Sequence, residues 1–332
     1  MASDKSFIMP AEWEAHARTL MEWCVRDSVV YPALYAETCA GYAEVVRAIS
    51  EFEPVTLVVN PADLEQAKNL CGAGVDYVEI PHSDAWARDN GPTFVRGRGG
   101  EIAGISWRFN AWGERFTPYG LDDAMAGDLL QYLGIPMIES GLILEGGSIH
   151  SDGAGKLLTT AQCLLNKNRN PQLSKAQIEA ELHARLGADT VIWLENGLDG
   201  DETDGHVDNL ACFSKAGTVL LQTCADKSDA NFAVTESARG ILSGAGLEII
   251  PIEQPPARCY GRVRLTLSYL NFYLVNGGVI LPVFGGDARR TDDAAAAVLR
   301  EAFPSRKICT VDGMKLVREG GNVHCITQQM PV

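Results

Sequence analysis

Apolar and polar positions along the chain switch repeatedly between two periods, and the switches predict alternating strands and helices. Thr19 to Trp23 predicts a short strand after a loop that begins at Met9. Tyr31 to Phe52 sets Tyr35, Cys39, Tyr42, Val45, Val46 and Ile49 at helical spacing on one face, with Glu44 and Arg47 off it. Pro54 to Asn60 reads as a buried strand, Pro61 to Cys71 as a helix opened by its proline, and Val75 to Ile80 as a further strand.

From Asp84 onward one unit recurs. A polar, turn-rich stretch opens a short strand, a glycine turn follows, and a second apolar strand comes after it. Asp84 to Pro92 leads into Thr93 to Val95 and then Glu101 to Phe109. Glu145 to His150 leads through Asp152-Gly153 into Lys156 to Thr160; His206 to Asn209 leads through Leu210 to Phe213 and Gly217 into Thr218 to Gln222. Tyr269 to Tyr273 leads through Asn276-Gly277-Gly278 into Val279 to Val283. Helical patterns fall between the units, at Asp122 to Leu133, Ser174 to Leu186, Asp229 to Ala245 and Asp292 to Phe303.

The polar residues that open the units are evenly spaced: 56 residues from Asp89 to Glu145, 61 to His206, 65 to Asn271 and 54 to Cys325. Such a period, one small αβ module long, predicts modules arranged around an axis. The units are dissimilar, and a large α/β chain also yields hairpins without symmetry, so spacing alone leaves both readings open. No interdomain linker or low-complexity segment interrupts residues 1–332, which predicts a single domain.

Composition narrows the partners. Against 28 basic side chains stand 43 acidic ones, a net charge of -15, which argues against a nucleic-acid backbone as ligand and suits a small cation. Met1 to Ser6 is polar with no apolar stretch behind it, and no apolar run approaches a membrane span, so a cytoplasmic location away from membranes is expected. The nine cysteines are odd in number and include no CxxC pair, a pattern of reduced thiols rather than a disulfide framework or a zinc site.

If the modules surround an axis, their opening residues converge at one end: Asp89, Glu145, His206, Asp208 and Cys325. A thiol, an imidazole and carboxylates together suit a planar cation, because a guanidinium offers five N–H donors in a rigid fork and an electrophilic carbon at its centre. Each residue also has a plain structural reading. Asp89, Asp208 and Asn209 suit turn caps, His206 an ordinary half-buried histidine, and Cys325 a small buried hydrophobe. Glu145 is different, since a carboxylate following Leu142-Ile143-Leu144 is drawn into the interior and requires a partner. The final stretch, Glu319 to Gln329, combines paired glycines, His324, Cys325 and two amides in a segment that must be held in a sheet.

Several long segments carry a resemblance to a known family. They are Trp86 to Pro92, Phe109 to Gly113, Leu144 to Ser148, Asn166 to Pro171, Asp201 to Asn209, Ser268 to Tyr273 and Gly320 to Gln329. In order and content they resemble the agmatine deiminases, which belong with the bacterial-type peptidylarginine deiminases in the guanidine-modifying superfamily. The resemblance implies a five-bladed α/β propeller, the pentein fold, of ββαβ modules with pseudo-fivefold symmetry. It implies hydrolysis of agmatine to N-carbamoylputrescine and ammonia, on the route from arginine to putrescine, with no metal and no organic cofactor. By position, Cys325 matches the nucleophile, His206 the general acid and base, Glu145 its carboxylate partner, and Asp89 and Asp208 the guanidinium clamp. Trp86 and Glu202 match contacts to the substrate chain and its distal amine.

Two departures stand out: Glu319 where a third glycine is expected, and Glu195-Asn196 where a Pro-Arg pair is usual. The other readings in play are a deiminase of arginine or peptidyl arginine and a non-catalytic polyamine-binding propeller. A metal hydrolase lacks any HExxH or CxxC spacing to support it. Association into a homo-oligomer is compatible with the sequence.

Overall fold

The computed structural model describes residues 7–26 and 34–332, and within them the two sequence periods resolve into one module repeated around an axis. Met1 to Ser6, and Tyr31 to Ala33 at the start of the first predicted helix, lie outside the described residues. The chain opens with β1 (Phe7–Ile8) and β2 (His16–Glu22). Helix α1 (Tyr35–Ser50) buries Cys39, Tyr42, Val45, Val46 and Ile49, the face marked by spacing. Strand β3 (Val55–Val59) is buried at every residue, as its unbroken apolar run requires. A 3-10 turn at Pro61–Asp63 admits α2 (Leu64–Cys71), and β4 (Asp76–Glu79) follows.

The recurring unit then appears as β5 (Thr93–Gly97), β6 (Ile102–Arg108), the short turn α3 (Ala111–Glu114), α4 (Gly120–Leu133) and β7 (Met137–Ile143). The next is β8 (Ile149–Ser151), β9 (Lys156–Thr160), α5 (Ala161–Leu164), α6 (Lys175–Leu186) and β10 (Thr190–Leu194). Ser174 and Gln177 form a capping box that starts α6, and Gly187, with φ of 67°, ends it. After these come β11 (Ala211–Lys215), β12 (Thr218–Thr223), α7 (Ala230–Gly244) and β13 (Glu248–Glu253). A small ribbon, β14 (Cys259–Tyr260) and β15 (Val263–Arg264), precedes β16 (Tyr273–Val275), β17 (Gly278–Val283), α8 (Arg289–Ala302) and β18 (Lys307–Asp312). Strand β19 (Thr327–Pro331) comes last.

Pairing shows the repeat directly. In β5-β6-β7, β8-β9-β10, β11-β12-β13 and β16-β17-β18 the first two strands are antiparallel, and the third runs parallel to the second across a helix. The fifth module is assembled from distant parts of the chain. Strand β19 lies antiparallel to β2 with Gln328 opposite Leu20, and β3 runs parallel to β2 with Leu57 opposite Met21. The chain is thus a five-bladed α/β propeller of ββαβ modules, the pentein fold. No helix among the described residues is long and apolar enough to cross a membrane.

Polar contacts lock the split module to its neighbour. The buried Glu53 carboxylate accepts from Thr19 Oγ1 at 2.6 Å and from the Asn276 backbone N–H at 2.7 Å, and it lies 3.1 Å from His16 Nδ1. Asn276 in turn accepts from the His16 backbone N–H at 3.0 Å. Glu53→Ala leaves the Thr19, His16 and Asn276 donors stranded and is expected to destabilise the fold by about 3–5 kcal/mol. Urea unfolding measures it; a shift below about 1 kcal/mol would mean that closure rests on the strands alone.

Candidate active site

The first strand of each module is preceded by a polar residue, and pseudo-fivefold symmetry brings these residues to one end of the axis. Asp89 stands ahead of β5, Glu145 ahead of β8, His206 and Asp208 ahead of β11, Asn271 ahead of β16 and Cys325 ahead of β19. All six are buried.

Asp89 is fixed from two sides. Its Oδ1 accepts from the Gly147 backbone N–H at 2.9 Å and its Oδ2 from Trp112 Nε1 at 2.8 Å. Trp112 reaches it because Ala111, Trp112, Gly113 and Glu114 all take left-handed backbone angles, with φ of 49°, 54°, 88° and 63°. Asn110 stabilises that turn by accepting from the Gly113 N–H at 2.9 Å and donating to the Asn168 carbonyl. Gly147 lies at the meeting point of the site. A Cβ there would fall 2.7 Å from His206 Nδ1, 2.8 Å from Asp89 Oδ1 and 3.0 Å from Asp208 Oδ2.

His206 lies with Nδ1 3.7 Å from Asp89 and Nε2 3.5 Å from Glu145, and neither nitrogen has a hydrogen-bond partner. Burial alone would lower its pKa, yet Asp89, Cys163 and Glu145 together raise it well above the usual histidine value. These neighbours favour the charged form of the ring. Glu145 is held by Arg169, whose Nε donates to Oε1 at 2.7 Å, and Arg169 also binds Asp204 at 2.8 Å and the Thr203 carbonyl at 3.0 Å. Against the upward push of burial, Arg169 and His206 hold Glu145 below its ordinary value and keep it ionised.

Asp208 Oδ2 accepts from His324 Nδ1 at 2.9 Å, and His324 Nε2 reaches Glu12 at 3.0 Å. Although burial opposes it, His324 keeps Asp208 below the usual carboxylate range. The other oxygen of Asp208, Oδ1, is buried without a partner. Cys325 Sγ lies 3.7 Å from Asp208 Oδ2 and accepts from Asn271 Nδ2 at 3.2 Å, while Asn271 Oδ1 accepts from the His324 N–H at 3.0 Å. Burial, Asp208 and Asp89 push the Cys325 thiol well above its ordinary pKa, so it is neutral in the free site.

A solvent-open cavity leads to this cluster. Trp86, Trp112 and Phe116 form apolar walls, Asp89 and Cys325 line it below, and Glu202, Thr203, Glu319 and Gly321 complete it. Trp86 and Trp112 meet edge to face with centroids 6.2 Å apart. Gly321 is required by close approach, since a Cβ would stand 2.4 Å from Trp86 and 3.1 Å from Cys325 Sγ. All seven residues singled out from the sequence thus lie at this cavity or directly behind it. Of the two departures, Glu319 is buried in the cavity lining with Thr38 Oγ1 donating to it at 2.8 Å, and Glu195-Asn196 is exposed.

Several members had no role in the sequence reading. Arg169 is the partner that Glu145 required, and the signal for it lay in the stretch Asn166 to Pro171. Asn271 marked the repeat without being read as a thiol contact. Cys163 stands 3.7 Å from Glu145 Oε2, and with His206 these two residues bring three metal-ligand-type atoms within 4.8 Å of one another. Trp112 and His324 lie in stretches singled out from the sequence but had no role assigned to them, and Glu12 gave no signal, because hydrogen bonds made from remote segments define all three.

The comparisons agree in scope with this architecture. A sequence model described as Porphyromonas-type peptidyl-arginine deiminase matches residues 8–331. The agmatine deiminase of Ectopseudomonas mendocina is 42% identical, over 98% of this chain and 95% of its own; that of Medicago truncatula is 41% identical, over 98% and 96%. Among solved structures, the agmatine deiminase of Enterococcus faecalis superposes with a TM-score of 0.91 at 33% identity, covering 98% of this chain and 96% of its own. A Cys-to-Ser agmatine deiminase of C. jejuni with substrate bound gives 0.91 at 30%, with the same coverage. A dimethylarginine dimethylaminohydrolase from Pseudomonas aeruginosa, at 15% identity and a TM-score of 0.53, shares the fold alone.

The electrostatics of Cys325 predict its reactivity. With its pKa raised, alkylation by iodoacetamide should be slow at neutral pH and keep rising beyond the range of an ordinary thiol. Asp208→Asn removes one of the charges that hold the thiol neutral and should move the profile to lower pH. Peptide mapping of the alkylated cysteine against pH tests this, and an unmoved profile would detach Asp208 from the thiol.

Proposed function

The chain belongs to the Porphyromonas-type peptidyl-arginine deiminase family, and from that footing we propose that it is an agmatine deiminase, hydrolysing agmatine to N-carbamoylputrescine and ammonia on the route from arginine to putrescine. The observation that carries this reading is the approach of the Asp89 and Asp208 carboxylates to one point at Gly147, with Asp208 Oδ2 3.7 Å from Cys325 Sγ, beside an aromatic-walled cavity that Asp89, Cys325 and Glu202 line. A guanidinium between the two aspartates presents its central carbon to sulfur, the alkyl chain runs between Trp86 and Trp112, and the distal ammonium meets Glu202.

Chemistry follows from the charge state of the free site. The incoming cation offsets the carboxylates that keep Cys325 neutral, so the thiol ionises as the substrate binds and releases its proton to solvent. Sulfur attacks the central carbon, forming a C–S bond and a tetrahedral adduct. Protonated His206, with Glu145 stabilising its charge, gives a proton to one nitrogen, and the C–N bond breaks to release ammonia. A covalent thiouronium remains. Neutral His206 takes a proton from water as the oxygen attacks the same carbon; the C–S bond then breaks to release the thiolate, and the hydroxyl proton passes to solvent as the neutral ureido carbonyl forms. Asp89 and Asp208 balance the positive charge throughout.

The whole chain acts as one domain in this reading, in the cytoplasm, without a metal or organic cofactor for turnover. The nine free cysteines support a reducing compartment.

Ammonia release from agmatine, free arginine and a blocked peptidyl arginine, assayed in parallel, tests the substrate. Release confined to agmatine is expected; turnover of arginine alone would keep the fold and discard the substrate. Cys325→Ala should abolish turnover while still binding agmatine in calorimetry, and substantial remaining activity would remove Cys325 from the mechanism. Gly147→Ala, which inserts a methyl among His206, Asp89 and Asp208, should lower kcat/KM by about a hundredfold or more while the protein stays folded.

A further inference from the structure

Behind His206, on the side of the ring away from Gly147, three side chains of metal-ligand type face one another. His206 Nε2 is 3.5 Å from Glu145 Oε2, and Cys163 Sγ is 3.7 Å from that same oxygen. The three ligand atoms lie within 4.8 Å of one another, and all three residues are fully buried. His206 has no hydrogen-bond partner on either nitrogen, although a buried imidazole ordinarily finds one. Tetrahedral bonds of about 2.0–2.3 Å set neighbouring ligand atoms about 3.3–3.7 Å apart, which is the spacing of the two short pairs here.

We propose that Glu145, Cys163 and His206 form a binding site for a divalent ion of the zinc class, and that occupancy of this site switches the enzyme off. A thiolate, an imidazole and a carboxylate select zinc-like ions over magnesium or calcium. Arg169 occupies only Oε1 of Glu145, leaving Oε2 for the ion, and it orients the carboxylate as an outer-sphere partner does. Its own charge is shared with Asp204. On binding, the Cys163 thiol and the His206 Nε2–H each lose a proton to the buffer, metal–sulfur, metal–nitrogen and metal–oxygen bonds form, and nothing is oxidised or reduced.

A metal on Nε2 excludes the imidazolium, the form that protonates the departing nitrogen. Cys325, Asp89 and Asp208 are not ligands, so the guanidinium site stays open. Zinc therefore lowers kcat and leaves KM in place. Ligation stands independently of the reaction, whereas the loss of turnover rests on the function proposed above.

Cobalt(II), whose bond to a thiolate absorbs in the near ultraviolet, separates these possibilities. Titration should give that band at one equivalent in the unaltered protein and in Cys325→Ser, and no band in Cys163→Ser. Zinc affinity, from competition with a chromophoric chelator, should fall in Cys163→Ser by more than the roughly ten- to hundredfold that outer-sphere changes cost. In the ammonia assay zinc should depress kcat at constant KM, reversibly with chelator. A band that survives Cys163→Ser, a band lost in Cys325→Ser, or inhibition that raises KM would each overturn the site. If Cys163→Ser does not fold, Cys163→Ala takes its place. If agmatine is not turned over at all, the cobalt titration still decides the metal site while the failed assay rejects the proposed reaction.

Discussion

Charge balance in a dry interior is the constraint on which the centre of this propeller depends. Glu12, Asp89, Glu145 and Asp208 are buried around one axis, where an unmatched carboxylate costs several kcal/mol. Arg169 matches Glu145, and His324 is shared between Asp208 and Glu12. Burial pushes Glu12 upward, yet His324 draws it far below the usual carboxylate range. What remains is Asp89, the Asp208 carboxylate and the His206 ring around a space bounded by Gly147, with Asp208 Oδ1 still unpartnered. That remainder is a request for one planar cation, and the same remainder keeps the sulfur protonated until the cation arrives.

Backbone strain serves the same end. The left-handed run from Ala111 to Glu114 costs about 1–2 kcal/mol for each residue with a side chain, and it persists because Asn110 and Asn168 hold it. In return the Trp112 indole both donates to Asp89 and forms a cavity wall. A relaxed turn at this place would supply neither.

The readable part of the fold was the part in which local pattern and burial agree. Helix α1 and strand β3 announced themselves because their buried faces are continuous. The opening residues of the hairpins announced the symmetry because they recur once per module. The third strands of the other four modules were not legible: Met137–Ile143, for example, is mostly exposed or half-buried and carries a glutamate, and Glu248–Glu253 contains Pro251 and is largely exposed or half-buried. Such strands take their identity from the neighbour they pair with. Cys325, His206 and Asp208 were legible as chemistry without partners. Cys163, Trp112 and His324 were not, since what distinguishes them is proximity created by folding.

The split module ties the nucleophile to completion of the ring. Cys325 lies next to β19, and β19 is held by β2, at the far end of the sequence. Contacts that close so long a loop form late and reward the chain only when both ends meet. A partly folded chain has its carboxylates, its histidine and its cysteine, but not in one place. The ring is therefore its own safety catch: reactive sulfur and activating charges meet only in a molecule that has finished folding, and one that opens at this seam disarms itself.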